Sequence, residues 1–81
     1  MKYELFNTVA LAIDVPEKGL KAGDLATVVE HHPRQVGEDG YTLELFDAVG
    51  NTFAVVTLPE SGIEPLRAGE LLSIRLPAIA A

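Results

Sequence analysis

Two adjacent histidines, His31 and His32, are the first residues that invite a chemical reading. Imidazoles ligate metals, and a zinc site needs three or four ligands converging on one point. The hydropathy around them is that of a β-strand, where neighbouring side chains point to opposite faces. His31 and His32 therefore cannot easily chelate one ion together. Glu30 would share a face with His32, but two ligands do not make a site, and solvent-facing histidines at a strand end are expected. Acid–base catalysis could draw on paired carboxylates: Asp14 with Glu17 around a long turn, Glu38 with Asp39 in a loop, Glu44 with Asp47 at a hairpin. That chemistry needs a carboxyl desolvated inside a pocket, and each of these acids falls in a turn or on an outward strand position. The only serines are Ser61 and Ser73, with no Cys and no Gly-x-Ser-x-Gly elbow. Ser61, just before Gly62, reads as a turn cap. Gly19 to Gly23 lacks the Gly-Lys-Ser/Thr ending of a phosphate loop. The expectation is a non-enzymatic chain with no metal, no cofactor and no catalytic residue.

The elements that would position these residues repeat with period two rather than 3.6. Val9, Leu11, Ile13 and Val15 alternate with Thr8, Ala10, Ala12 and Asp14, giving a strand over residues 8–15. Residues 16–24 carry Pro16, Gly19 and Gly23 and read as a long ordered turn with Leu20 as an anchor into the core. A second strand spans Leu25 to His32, with Leu25, Thr27, Val29 and His31 on one face and Ala26, Val28, Glu30 and His32 on the other. Residues 33–40 form a loop. Tyr41 to Phe46 is a third strand, with Tyr41, Leu43 and Leu45 inward; a hairpin at 47–51, with Gly50 or Asn51 free to take positive φ, leads to a fourth strand over Thr52 to Leu58. A single 3₁₀-type turn at 59–62 precedes a short strand at Ile63 to Leu66. Pro65 lacks an amide proton, so that strand belongs at an edge or is very short. Leu72, Ile74 and Leu76 alternate with Leu71, Ser73 and Arg75 as a sixth strand, a helical turn between Pro65 and Pro77 being the alternative.

Five or six short strands joined by tight turns, with one long turn after the first, describe an all-β fold: a small SH3-like barrel. The domain spans 1–67. Residues 68–81 form a C-terminal extension able to add an edge strand, packing on the barrel or on a second subunit as a homodimer contact. The whole chain is 81 residues, and a domain this small buries only about 60–65% of its unfolded surface. A cavity for catalysis would remove packing it can hardly spare. The hydrophobic fraction of 48% is too high for disorder, and no apolar run is long enough for a membrane span. The N-terminal run Met1 to Phe6 has no signal-peptide character, which makes the cytoplasm the default.

Two resemblances follow from particular runs. Leu20-Lys21-Ala22-Gly23-Asp24-Leu25-Ala26-Thr27-Val28-Val29-Glu30 resembles the entry strand of SH3-like barrels of the KOW kind. There Gly23 would permit the turn, Asp24 would bond backbone amides and Ala26 would allow close packing. That resemblance implies nucleic-acid binding, which would require Lys18, Lys21 and Arg34 to form one patch. The run Val9 to Asp24, together with Val55-Val56-Thr57-Leu58-Pro59 and Ile63-Glu64-Pro65-Leu66, is similar to a bacterial family of short proteins classed as domain of unknown function 4926. The family carries no established activity, so the likeness implies a fold and not a mechanism. Its members resemble stand-alone genes placed beside toxin-like ones, and the chain beyond Arg67 departs from the family pattern.

Charge decides between the partners. Twelve Asp and Glu against six Lys and Arg leave a formal charge of −6, and the basic residues are never adjacent. Nucleic-acid affinity comes from cations neutralising phosphates, and a net negative field repels both nucleic acid and anionic lipid. A basic protein partner is the expectation, in an antitoxin- or immunity-like role, with nucleic acid and membrane disfavoured. The surface expected to meet it combines Glu38, Asp39, Glu44 and Asp47 with Tyr41 and Phe46.

Overall fold

The computed structural model of the protein describes residues 2–46 and 50–66. Five strands form a single antiparallel sheet: β1 (Thr8–Leu11), β2 (Leu25–His32), β3 (Gly40–Phe46), β4 (Thr52–Pro59) and β5 (Ile63–Pro65). Their order is β4-β3-β2-β1-β5, so the last strand returns beside the first and β4 and β5 are the two edges. The all-β class is as the sequence implies. The sheet is not closed into a barrel: its edges carry no ladder to each other, and a 3₁₀ turn at Glu60–Gly62 joins them instead. Pro65 sits at the edge expected of it. The expected sixth strand and the extension over residues 68–81 lie outside the described residues.

The first strand is shorter than the alternation suggests, ending at Leu11 instead of Val15. The chain bends there because Asp14 turns its carboxylate onto the Ala22 amide (2.8 Å), while Val15 pairs only with Leu20 in an isolated bridge across the 3₁₀ turn Pro16–Lys18. Leu20 is buried as an anchor, a burial that contributes about 1.5–3 kcal/mol. Gly23 takes φ +95°, and the Asp24 carboxylate accepts from the Lys21 amide at 2.9 Å, which are the roles read for the two residues. Gly50 likewise has positive φ.

The inward faces of the strands supply the core: Val9 and Leu11, Ala26 and Val28, Tyr41, Leu43 and Leu45, Val56 and Leu58, and Ile63. Tyr3 closes one side of it, its ring edge-on to Tyr41 at 5.4 Å and its hydroxyl donating to the Ile63 carbonyl at 3.0 Å. Among the described residues no charged side chain is buried.

One irregularity decides which way the histidines point. Val28 pairs with Leu43 and Glu30 with Thr42, so Val29 is an extra residue on β2. A bulge of this kind shifts the alternation by one. Beyond it His31 stands opposite the inward Tyr41, while Glu30 and His32 stand opposite Thr42 and Gly40 on the outer face.

Candidate functional site

The six residues expected to meet a partner do not share one surface. Tyr41 is fully buried, consistent with its inward strand position, and no partner can touch it. Its hydroxyl donates to Glu60 Oε2 at 2.9 Å and accepts from the backbone amides of Lys2 (3.1 Å) and Tyr3 (3.4 Å). Burial, and then the Glu60 bond, raise the phenol above its ordinary pKa and hold it neutral. Asp39 accepts from His31 Nε2 at 2.8 Å and from the Arg34 amide at 3.0 Å, and these donors, His31 foremost, lower its pKa. His31 does not face solvent as its strand-end position suggests. Its ring stacks on Tyr41 at 5.0 Å, leaving the side chain 19% exposed.

Glu38 is committed in the same way. Its two carboxylate oxygens accept from the Ser61 amide (2.6 Å) and the Ser61 hydroxyl (3.0 Å). Ser61 is therefore capped by Glu38, where the sequence suggested that the serine itself caps the turn. The Glu60 amide donates to the Asp39 carbonyl at 2.8 Å, and the Ala12 amide to the Gly62 carbonyl at 2.9 Å. The Glu38 and Tyr41 side chains and the Asp39 carbonyl thus hold the 3₁₀ turn that links the two sheet edges. Tyr41, at the centre of the cluster with His31, Asp39 and Glu60, is fully buried.

The remaining residues lie on the outer face. Thr8, Thr27, Glu44 and Val55 stand opposite one another in a row across four strands. By alternation Phe46 and Phe53 project from the same side of β3 and β4, where a second register shift leaves Phe53 as the extra residue between Ala54 and Thr52. Phe46, Phe53 and Val55 are 45%, 55% and 45% exposed. Single exposed apolar residues are ordinary, and these three lie together on one face. Glu44 is half-buried in their midst and has no cationic partner among the described residues. Asp47 lies outside the described residues.

Towards the other end of the strands this face becomes polar. Glu30, His32, Thr42, Thr57 and Arg34 line a groove of about 740 Å³, continued by Glu38, Gly40, Leu58 and Pro59. His32 Nε2 is hydrogen-bonded to Thr42 Oγ1 at 2.7 Å, Thr42 Oγ1 to Thr57 Oγ1 at 2.9 Å, and Glu30 approaches His32 at 3.7 Å. Among the described residues no three His, Asp or Glu side chains converge as metal ligands. The sequence named Glu44 and Phe46 but not Phe53 and Val55. Those two alternate with Ala54, Val56 and Leu58, and their outward face follows from the pairing of Val55 with Glu44.

The class is therefore an all-β domain built on one five-stranded antiparallel sheet, with an apolar and acidic outer face. The chain belongs to the family described as Domain of unknown function (DUF4926), whose pattern matches residues 5–65. Comparison with curated proteins and with solved structures returns no match.

Proposed function

We propose that the protein is a non-enzymatic interaction module that binds a basic protein partner on the outer face of β3 and β4. The observation that carries this reading is the exposed group Phe46, Phe53 and Val55 arranged around Glu44, whose carboxylate has no cationic partner among the described residues. Apolar side chains supply the area that drives association. The acidic field of the whole chain, −6, steers a cationic partner towards it. Glu30 and the polar groove extend the same face and offer a rim of hydrogen-bonding groups. A blocking role of the antitoxin or immunity kind suits this chemistry, since it needs a complementary surface and no catalytic centre.

Nucleic-acid binding draws less support. Lys18 and Lys21 precede β2 and Arg34 follows it, so an eight-residue strand about 25 Å long separates the cations that would have to act together.

The test is co-purification of the full chain from its source cells at low salt. A partner of basic isoelectric point is expected to be retained, and to be released as salt screens the charge attraction. Retention of RNA alone, or of no macromolecule, counts against the proposal.

A further inference from the structure

We infer that the partner joins the sheet itself: an extended, lysine- or arginine-bearing segment of that basic protein adds as an antiparallel strand along the β4 edge, laying alternate side chains over the outer face. The inference rests on the binding role proposed for that face and names the conformation of what occupies it. The two edges of the sheet differ. β5 is three residues long and ends in Pro65, whereas β4 runs for eight residues, Thr52–Pro59, without one charged side chain. Natural edges are blunted by charge, proline or a bulge, because their free amides and carbonyls template pairing with another chain. On β4 those devices stand only at the ends, the extra residue Phe53 at one and Pro59 at the other. Between them the edge is open.

The ladder fixes which main-chain groups face outward. The Glu60 amide donates to the Asp39 carbonyl, and bonded pairs alternate along an antiparallel ladder. Tyr41 with Leu58, Leu43 with Val56 and Leu45 with Ala54 are therefore the bonded pairs of β3 and β4. Val55 and Thr57 fall between them and turn their amides and carbonyls away from β3, where no strand lies among the described residues. The far side of β3 agrees. Val28 accepts from the Phe6 amide and donates to the Asn7 carbonyl, which turns Thr27 to Glu44 and leaves Leu43 to β4. Both outward positions also end rows that carry a glutamate: Val55 stands beside Glu44, and Thr57 beside Thr42 with Glu30 beyond it. A residue opposite Val55 on an added strand lies two strand spacings from Glu44, about 9.5 Å. A lysine or arginine stem laid over Val55 carries its charge towards that carboxylate, which has no cationic partner among the described residues. A second copy of β4 would offer backbone groups but no cation, and would set two chains of −6 edge to edge. Charge thus selects a basic chain over a second copy.

The probe is a synthetic peptide of alternating lysine and valine, matched to the eight residues of β4 and titrated into the full-length protein while amide exchange with deuterium is followed residue by residue. Without peptide, the Val55 and Thr57 amides are expected to exchange freely while Ala54, Val56 and Leu58 stay protected. With peptide, Val55 and Thr57 become protected. Methylating the lysine nitrogens, which face β4 in this pairing, should weaken binding at least about tenfold through the lost main-chain bonds. Methylating the valine nitrogens should leave it unchanged, and a peptide with glutamate for lysine should give no protection. Val55→Pro removes an outward amide and no ladder bond, so it should fold, with Ala54, Val56 and Leu58 still protected, and lose the peptide. Protection of Val55 and Thr57 before any peptide is added, no gain with excess peptide, or equal affinity of the two methylated peptides each overturns the inference. Protection that rises with protein concentration alone would put a second copy on the edge and overturns it too. The partner captured from cells separates this failure from that of the binding role. Capture weakened by Glu44→Lys while Val55 and Thr57 still exchange freely sinks the added strand and leaves the face. Edge protection that Glu44→Lys does not weaken keeps the added strand and sinks the role given to the face.

Discussion

Asp39 owes its lowered pKa to two donors, the His31 imidazole and then the Arg34 amide, and the direction fixes how it couples to pH. A carboxylate whose folded pKa lies below its unfolded value, about 3.9, stabilises the fold above that value. The contribution is lost as pH falls through the folded pKa. Urea midpoints measured from pH 6 down to pH 2 should therefore drop more steeply below pH 4 for the native chain than for Asp39→Asn; parallel curves would remove the role given to His31. Tyr41 has the opposite sign. Its raised pKa means stability present below about pH 10 and lost as pH rises through the folded value. Tyr41→Phe should cost about 1–2 kcal/mol at neutral pH and abolish the alkaline part of the loss, as read from denaturant midpoints at pH 7 and pH 11. The inward position of Tyr41 was legible from strict alternation with Leu43 and Leu45. Its hydroxyl partners were not, because Lys2 and Glu60 lie 39 and 19 residues away and only the tertiary fold brings them together.

At the scale of elements, most strands were legible because each carries one apolar face and is bounded by Gly, Pro or Asp. Strand β2 matches its expected bounds of Leu25 to His32. The errors fall where one residue breaks the alternation. Val29 bulges and so carries His31 to the inward face, and no residue type in the run Ala-Thr-Val-Val-Glu announces it. The Asp14 bond to Ala22 ends β1 early, again through a contact across the turn. The turn after β1 was better predicted because its demands are local. Gly23 holds φ +95° while its amide donates to the Leu11 carbonyl at 2.7 Å. Nothing lies within 4 Å of a Cβ placed there, so the penalty of a side chain is purely one of backbone strain. Gly23→Ala should therefore destabilise the domain by about 1–2 kcal/mol, and a melting temperature equal to that of the native chain would show that the turn relaxes to another conformation.

For the molecule as a whole, the charge of −6 was legible at once, whereas the use of the acids was not. Glu38 and Asp39 looked like a free acidic pair in a loop, yet Glu38 holds Ser61 of the linking turn while Asp39 ties His31 and the Arg34 amide. Of the described residues expected to meet a partner, Glu44 and Phe46 lie on the outer face beside Phe53 and Val55. Local and global electrostatics are separable, because a steering field responds to total charge while a binding face responds to position. Glu44→Lys and Glu17→Lys change the net charge equally, but Glu17 lies in the 3₁₀ turn after β1, off the row that contains Glu44. The decisive measurement is the dissociation constant of the captured basic partner for these two variants at one fixed salt concentration. Glu44→Lys should weaken binding at least about tenfold more than Glu17→Lys, roughly 1.4 kcal/mol. Equal weakening by both would contradict it, reducing the outer face to an ordinary part of an acidic surface.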